Sequence, residues 1–291
     1  MSKFIAGIMG LQQEQIREQQ KQLWNNVSPG WKKWDQFIMQ FLRPMGDAII
    51  ERLEIEEDDI VLDAAAGTGE PGLTIAAIAK KGKVIGTDLS DEMLQIAEAN
   101  AATKGLKNYS TTVSDVCELP FDADTFTKIS CRMGFMFFPD MQLAANEMYR
   151  VLKPGGRVAI SVWAAPDKNF WSTAMTSVIN KYIETPVSAP DAPGMFRCCG
   201  PGVMTDIFAL AGFKHIGEQE MTGKVDFMDA ETYWRNRTEL SETIIAALAK
   251  MDEATSVSIK NDVYSIIKAN SINSRALLDW GVNIIYAEKA L

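Results

Sequence analysis

The sequence predicts an α/β fold: an open parallel sheet with helices on both faces. Three observations predict it. Short apolar runs alternate with helical ones from Asp59 to Trp163, the βαβα rhythm of a parallel sheet. Turn and capping residues punctuate that rhythm, among them Ser90 and Lys153-Pro154-Gly155-Gly156. The chain has 291 residues, 47% of them hydrophobic, enough for a sizeable core.

Taken in order, residues 11–53 read as helical. Gln/Glu/Lys-rich sequence carries Leu11, Ile16 and Leu23, then the aromatic set Trp24, Trp31, Trp34, Phe37 and Phe41, and Ser28-Pro29-Gly30 breaks the segment. DIVLDAA (59–65) is a buried strand and GLTIAAIAKK (72–81) a helix. KVIGTDL (83–89) is a strand, and SDEMLQIAEANAATKG (90–105) a helix with Ser90 as its N-cap. YSTTVSDV (109–116) and FTKISCR (126–132) are strands, MQLAANEMYRVL (141–152) a helix, and KPGGRVAISVW (153–163) a turn and strand. After Trp163 the rhythm is interrupted by a helix over 169–184 and a Pro/Gly/Cys loop. GVMTDIFALAGF (202–213) is a helix, KHIGEQEMTGKVDF (214–227) a strand, 229–270 mostly helical, and RALLDWGVNIIYAEKA (275–290) a final strand.

Composition narrows the function. A formal net charge of −9 and a pI near 4.8 make nucleic acid an unexpected partner. Cys117, Cys131, Cys198 and Cys199 form no C-x-x-C, and one histidine cannot complete a zinc site at these spacings, so reduced thiols and no metal are expected. The amino terminus does not read as a signal peptide, and no apolar run is long enough for a membrane span, so a cytoplasmic location is expected.

Gly67-Thr68-Gly69-Glu70-Pro71-Gly72 fits G-x-G-x-x-G, a spelling that usually suggests a dinucleotide site. Asp63, just before it, argues otherwise. A carboxylate at the strand's carboxyl end would repel a pyrophosphate and favour a ligand with an ammonium group there, as in S-adenosylmethionine. Asp88 ends the second strand, where a carboxylate can accept both ribose hydroxyls. Asp115, next to the backbone N–H of Val116, suits an adenine edge.

VLDAAAGTGEPG, GTDLSDEML, SDVCELPFDADTF and RVLKPGGRVAISVW together resemble the class I S-adenosylmethionine-dependent methyltransferases, in the small-molecule branch around the ubiquinone/menaquinone C-methyltransferases. The resemblance covers roughly residues 20–291. It implies a Rossmann-like, doubly wound seven-stranded sheet whose last strand is antiparallel, with helical lid insertions. It implies an N-terminal helical cap over residues 1–58, and a cofactor-binding domain over 59–291 with insertions at about 164–200 and 228–276. Carried over residue by residue, Asp63 reaches the methionine amino end, and Ala64, Gly67 and Gly69 line the loop. Asp88 holds the ribose. Leu89 and Met93 flank the adenine, with Asp115 and Val116 at its edge, and the backbone of Arg132 meets the methionine amine. The cap places Trp24 and Trp34, with Trp31, over the cofactor. Thr127 departs from a common aspartate and is expected to affect strand-edge packing only.

The implied activity is methyl transfer to a small apolar or aromatic molecule by in-line displacement. The alternatives are cofactor binding with other chemistry, or an NAD(P)-dependent oxidoreductase. Substrate-contact candidates are the apolar lid residues Met133, Phe135, Phe138, Phe170, Trp171, Phe196, Tyr233 and Trp234, with Met175 and Met195 beside them. No catalytic residue is assigned. If a base is needed, Tyr233, Glu231 and Asp229 are candidates. Arg197, Arg235 and Arg237 could hold an acidic group, although each also reads as a solvated surface arginine. His215 begins the sixth strand, on the face away from the cofactor. A homodimer is left open.

Overall fold

The computed structural model describes residues 2–183 and 191–291, and side chains from Gln13 onward. Two helices, α1 (Ser2–Lys33) and α2 (Asp35–Leu53), precede β1 (Ile60–Ala64), α3 (Gly72–Ile78), β2 (Lys83–Asp88), α4 (Asp91–Thr103) and β3 (Tyr109–Val113). Next come β4 (Phe126–Arg132), α5 (Met141–Val151), β5 (Leu152–Trp163) and α6 (Phe170–Ile179). The chain finishes with α7 (Val203–Ala211), β6 (Lys214–Asp226), α8 (Ala230–Leu240), α9 (Glu242–Leu248), α10 (Glu253–Ala269) and β7 (Leu277–Glu288).

The seven strands lie in the order β3-β2-β1-β4-β5-β7-β6. β1 to β5 pair in parallel, and β7 runs antiparallel between β5 and β6. Val61, Leu62, Asp63 and Ala64 of β1 and the last six residues of β5 are all buried, as expected of strands covered on both faces. β1 has β2 on one side and β4 on the other, so the connections leave in opposite directions there. Such a switch point opens a crevice at the strands' carboxyl ends.

Ser90 caps α4 as expected, its Oγ accepting from Met93 N at 3.1 Å. Thr127 ties the start of β1 to β4: its Oγ donates to Asp59 Oδ1 at 2.7 Å and accepts from Ile60 N at 3.0 Å. The expected break at Ser28-Pro29-Gly30 does not occur. α1 runs through Pro29 and ends at Lys33. Proline lacks the N–H that would bond the Asn25 carbonyl, and Ser28 Oγ donates to that carbonyl instead, at 2.9 Å. α2 belongs to the sheet's packing: Ile38, Leu42 and Met45 join the main core, and Ile49 and Leu53 a second cluster with Val61, Leu73 and Val84. The helix expected over 169–184 ends at Ile179, and residues 184–190 of the expected insertion lie outside the described residues. No described helix is long and apolar enough to cross a membrane.

Candidate active site

A cavity opens over the carboxyl ends of β1, β2 and β4. Its floor is the turn after β1: Ala65, Ala66, Gly67 and Thr68. Ala65 and Gly67 have φ of 53°, in the left-handed region, so the chain turns sharply off the strand. A Cβ placed on Gly67 would meet no atom within 4 Å, so this backbone is open to close approach by a ligand. Gly134 answers Ala65 from the opposite wall: its own Cβ would lie 2.4 Å from that of Ala65.

Asp88 stands at the end of β2. Its Oδ2 accepts from Gly67 N at 3.0 Å and its Oδ1 from Ser90 N at 2.9 Å. Burial raises its pKa, and those N–H groups oppose the rise. The carboxylate keeps free lone pairs, and the residue lines the cavity beside Leu89 and Met93. Asp115 and Val116 form the far wall. Asp115 already has partners: Oδ1 accepts from Cys117 N at 2.9 Å and Oδ2 from Arg17 Nε at 2.8 Å.

Asp63 and Ala64 sit behind this wall rather than in it, both fully buried. Asp63 braces the turn: Oδ1 accepts from Ser130 Oγ at 2.7 Å and Oδ2 from Gly72 N at 3.0 Å. Burial pushes its carboxyl up to about 7, against the pull of Ser130, Arg132 and Gly72. Gly69 is likewise structural, since its φ of 112° points a Cβ into Leu73 at 2.7 Å. Arg132 does line the cavity, and its guanidinium reaches α2, Nη2 lying 3.6 Å from Met39 Sδ. Burial lowers its pKa, and Asp63, Glu70 and Asp35 oppose the fall. The charged groups of the wall are thus Glu70, Asp88 and Asp115 against Arg132, a balance that suits a cationic ligand and repels a pyrophosphate.

Trp24 and Trp31 of α1 cover the cavity with Phe137, Trp24 meeting Phe137 edge-on at 5.2 Å. Trp34 is elsewhere: it faces an outer groove with Lys33 and Phe37, and its Nε1 donates to Glu239 Oε2 at 2.7 Å. α1 runs on to Lys33 instead of breaking at Ser28, and it is Trp31, not Trp34, that lines the cavity.

A second cavity abuts the first and shares Gln20, Trp24, Trp31, Leu42, Met133 and Phe137 with it. Its aromatic wall is Phe37, Phe41, Trp163 and Trp171, with Trp163 and Trp171 at 4.9 Å and Phe41 meeting Trp171 at 5.1 Å. Of the expected substrate contacts, Met133 and Trp171 line it, and Phe138 lines the first cavity. The other five are placed differently. Phe135 is fully buried against Phe138 and Phe208. Phe170 and Phe196 pack against the core outside both cavities. Tyr233 is buried with its hydroxyl donating to Trp171 O at 3.0 Å, and Trp234 lies beneath Lys260. These side chains belong to the core or pack against it, the ordinary fate of large aromatics.

The base candidates are also committed elsewhere: Asp229 caps α8 through Thr232 N, and Glu231 accepts from Tyr264. Met195 and the arginine of the former set, Arg237, line the second cavity, together with Asn236. Arg197 instead donates to Phe138 O at 2.6 Å. Phe37 and Phe41, one helical turn apart on α2, went unassigned by sequence; their spacing on one face was the available signal.

Residues 61–156 match the family described as a methyltransferase domain. An uncharacterized protein of Mycobacterium tuberculosis is 35% identical over 46% of this chain and 48% of its own length. The chain thus spans about half the length of the first such relatives. Demethylmenaquinone methyltransferase of Bacillus subtilis is 28% identical over 62% of this chain and 81% of that protein. Among solved structures, the cyclase SpnF superposes with a TM-score of 0.62 at 17% identity, covering 94% of this chain and 97% of that one, which shows the shared fold.

Proposed function

We propose, for a chain that belongs to the class I S-adenosylmethionine-dependent methyltransferases, that it moves the methyl group of S-adenosylmethionine to a small, planar and largely apolar acceptor. The single observation that carries this reading is the junction of the two cavities. One is floored by an open glycine turn and walled by carboxylates, the other is aromatic, and six residues belong to both.

When bound, the cofactor supplies a methyl already activated on a sulfonium, so the protein's task is orientation. In this reading Asp88 accepts the ribose hydroxyls and Leu89 and Met93 sandwich the adenine. Arg132, a fork of donors beside the turn, takes the cofactor's carboxylate. Trp24, Trp31 and Phe137 exclude water where the cavities meet. Residues 1–58 act as a cap and 59–291 as the cofactor domain, in a cytoplasmic enzyme.

Calorimetry with S-adenosylmethionine, S-adenosylhomocysteine and NADH tests the cofactor, and mass-spectrometric screening of aromatic acceptors tests the transfer. Micromolar-range binding of the first two, no NADH signal and a methylated acceptor are expected. NADH binding without a signal from either sulfur ligand would sink the reading.

A further inference from the structure

Among the described residues, the wall of the second cavity carries a buried arginine with no ion pair. Arg237 is 8% exposed and lines the cavity. Among the described residues its side chain has no ion pair and no hydrogen bond, and its Nε is buried without a partner. Its guanidinium lies 4.7 Å over the ring of Trp171. Burial lowers its pKa, and among the described residues the group opposing that is the phenol of Tyr233, itself pushed up to about 12 by burial and therefore neutral. Glu242 is the acid of this wall, and its Oε1 faces Asn26 Nδ2 at 3.5 Å.

Three more buried polar atoms of the same wall lack partners: Asn236 Nδ2, Trp31 Nε1 and Gln20 Oε1. Buried polar groups are ordinarily satisfied, and a buried charge is ordinarily paired. Three residues with unpaired donors, one of them cationic, line a space walled by Phe41, Trp163 and Trp171. Such a set is satisfied by a ligand that brings acceptor oxygens and a flat apolar body.

We propose that Arg237 recognises a carboxylate carried by a planar acceptor seated against Trp171. Asn236 and the Trp31 indole donate to the remaining lone pairs of its two oxygens. The fork of a guanidinium matches the two oxygens of a carboxylate, which an amide cannot imitate in charge. The word acceptor rests on the methyl-transfer reading; the anion site does not.

The probe is 2-naphthoate against naphthalene-2-carboxamide, read by quenching of tryptophan fluorescence. The wild-type protein is expected to bind the naphthoate at least tenfold more tightly. Arg237→Met should erase that preference and leave affinity for S-adenosylhomocysteine unchanged, since Arg237 is not in the cofactor cavity wall. It should also raise the melting temperature of the free protein, because an unpaired buried charge has been removed. Equal binding of the two probes, or no binding of the naphthoate, overturns the proposal without reference to any variant. A variant that keeps the preference, or one that melts lower and so marks Arg237 as a structural brace, also counts against it. Calorimetry with S-adenosylhomocysteine on the same wild-type sample separates the two readings: its failure sinks methyl transfer and leaves the naphthoate result standing.

Discussion

Arg17 of the first helix donates from Nε to Asp115 Oδ2 at 2.8 Å, so α1 is fastened to the wall of the first cavity. Asp115 is nearly buried and Arg17 is partly exposed, which places the pair at the upper end of the modest range for accessible ion pairs, about 1 kcal/mol. Arg17→Ala is expected to speed dissociation of S-adenosylhomocysteine two- to fivefold, measured by stopped-flow fluorescence. Hydrogen exchange should report the same fastening: the product is expected to slow exchange in residues 20–40 and in the turn 63–72. Identical exchange in residues 20–40 with and without product would show that α1 is no lid.

Asp88 does two jobs at once. It accepts from the backbone at Gly67 and Ser90, holding the turn, and it faces the cavity with spare lone pairs. Charged hydrogen bonds are worth roughly 1.5–3 kcal/mol each. Asp88→Ala is therefore expected to weaken S-adenosylhomocysteine by at least tenfold in calorimetry and to lower the melting temperature as well. Asp88→Asn keeps an acceptor for one N–H and should fall between. An unchanged dissociation constant in Asp88→Ala would place the ribose elsewhere.

The contrast between Asp88 and Asp63 shows what was legible in the sequence. Both were visible as acids at strand ends, because strand, turn and cap signals are local. Which way a strand-end side chain points depends on neighbouring strands, and Ser130 of β4 draws Asp63 inward. The seven strands and the antiparallel last one came from the family resemblance, and the structure has both. The lid was harder. Aromatics at Phe135 and Tyr233 look the same in sequence as those at Phe41 and Trp163, and only packing decides which of them border a void. Arg237 read as a surface residue because α8 is polar overall, and it is buried where α8 packs against α1, α9 and α10 with Trp171 of α6 beneath the guanidinium.

Asp63 predicts a pH dependence. Its folded carboxyl titrates near 7, well above an ordinary aspartate, because burial penalises the charge. A raised folded pKa means the native state binds the proton more tightly than the unfolded state. The associated stability is full below about pH 4 and is lost as pH rises through about 7. Asn is isosteric and can accept from Gly72 N while donating to Ser130 Oγ. Relative to wild type, Asp63→Asn should therefore gain stability steadily between pH 4 and 7 in urea melts. A constant difference across that range would mean that Asp63 is ionised in the native state throughout.

Gly30 offers a test in which two effects have opposite signs. It lies inside α1, where alanine is favoured over glycine by about 1 kcal/mol in an exposed helix. Propensity alone predicts that Gly30→Ala stabilises. The structure predicts the reverse, since a Cβ at this position would fall 2.3 Å from the backbone oxygen of Glu239 at the end of α8. Backbone cannot rotate aside as a flexible side chain can, so α1 must shift away from α8. That shift would stretch Lys33 and Trp34 from Glu239, which they now hold at 2.7 Å. Gly30→Ala is expected to lower the melting temperature and to speed exchange in residues 20–40, with the sheet residues unaffected. Because α1 and α8 both border the aromatic cavity, the variant should also weaken acceptor binding more than product-cofactor binding. A rise in melting temperature would show that the two helices do not meet at Gly30.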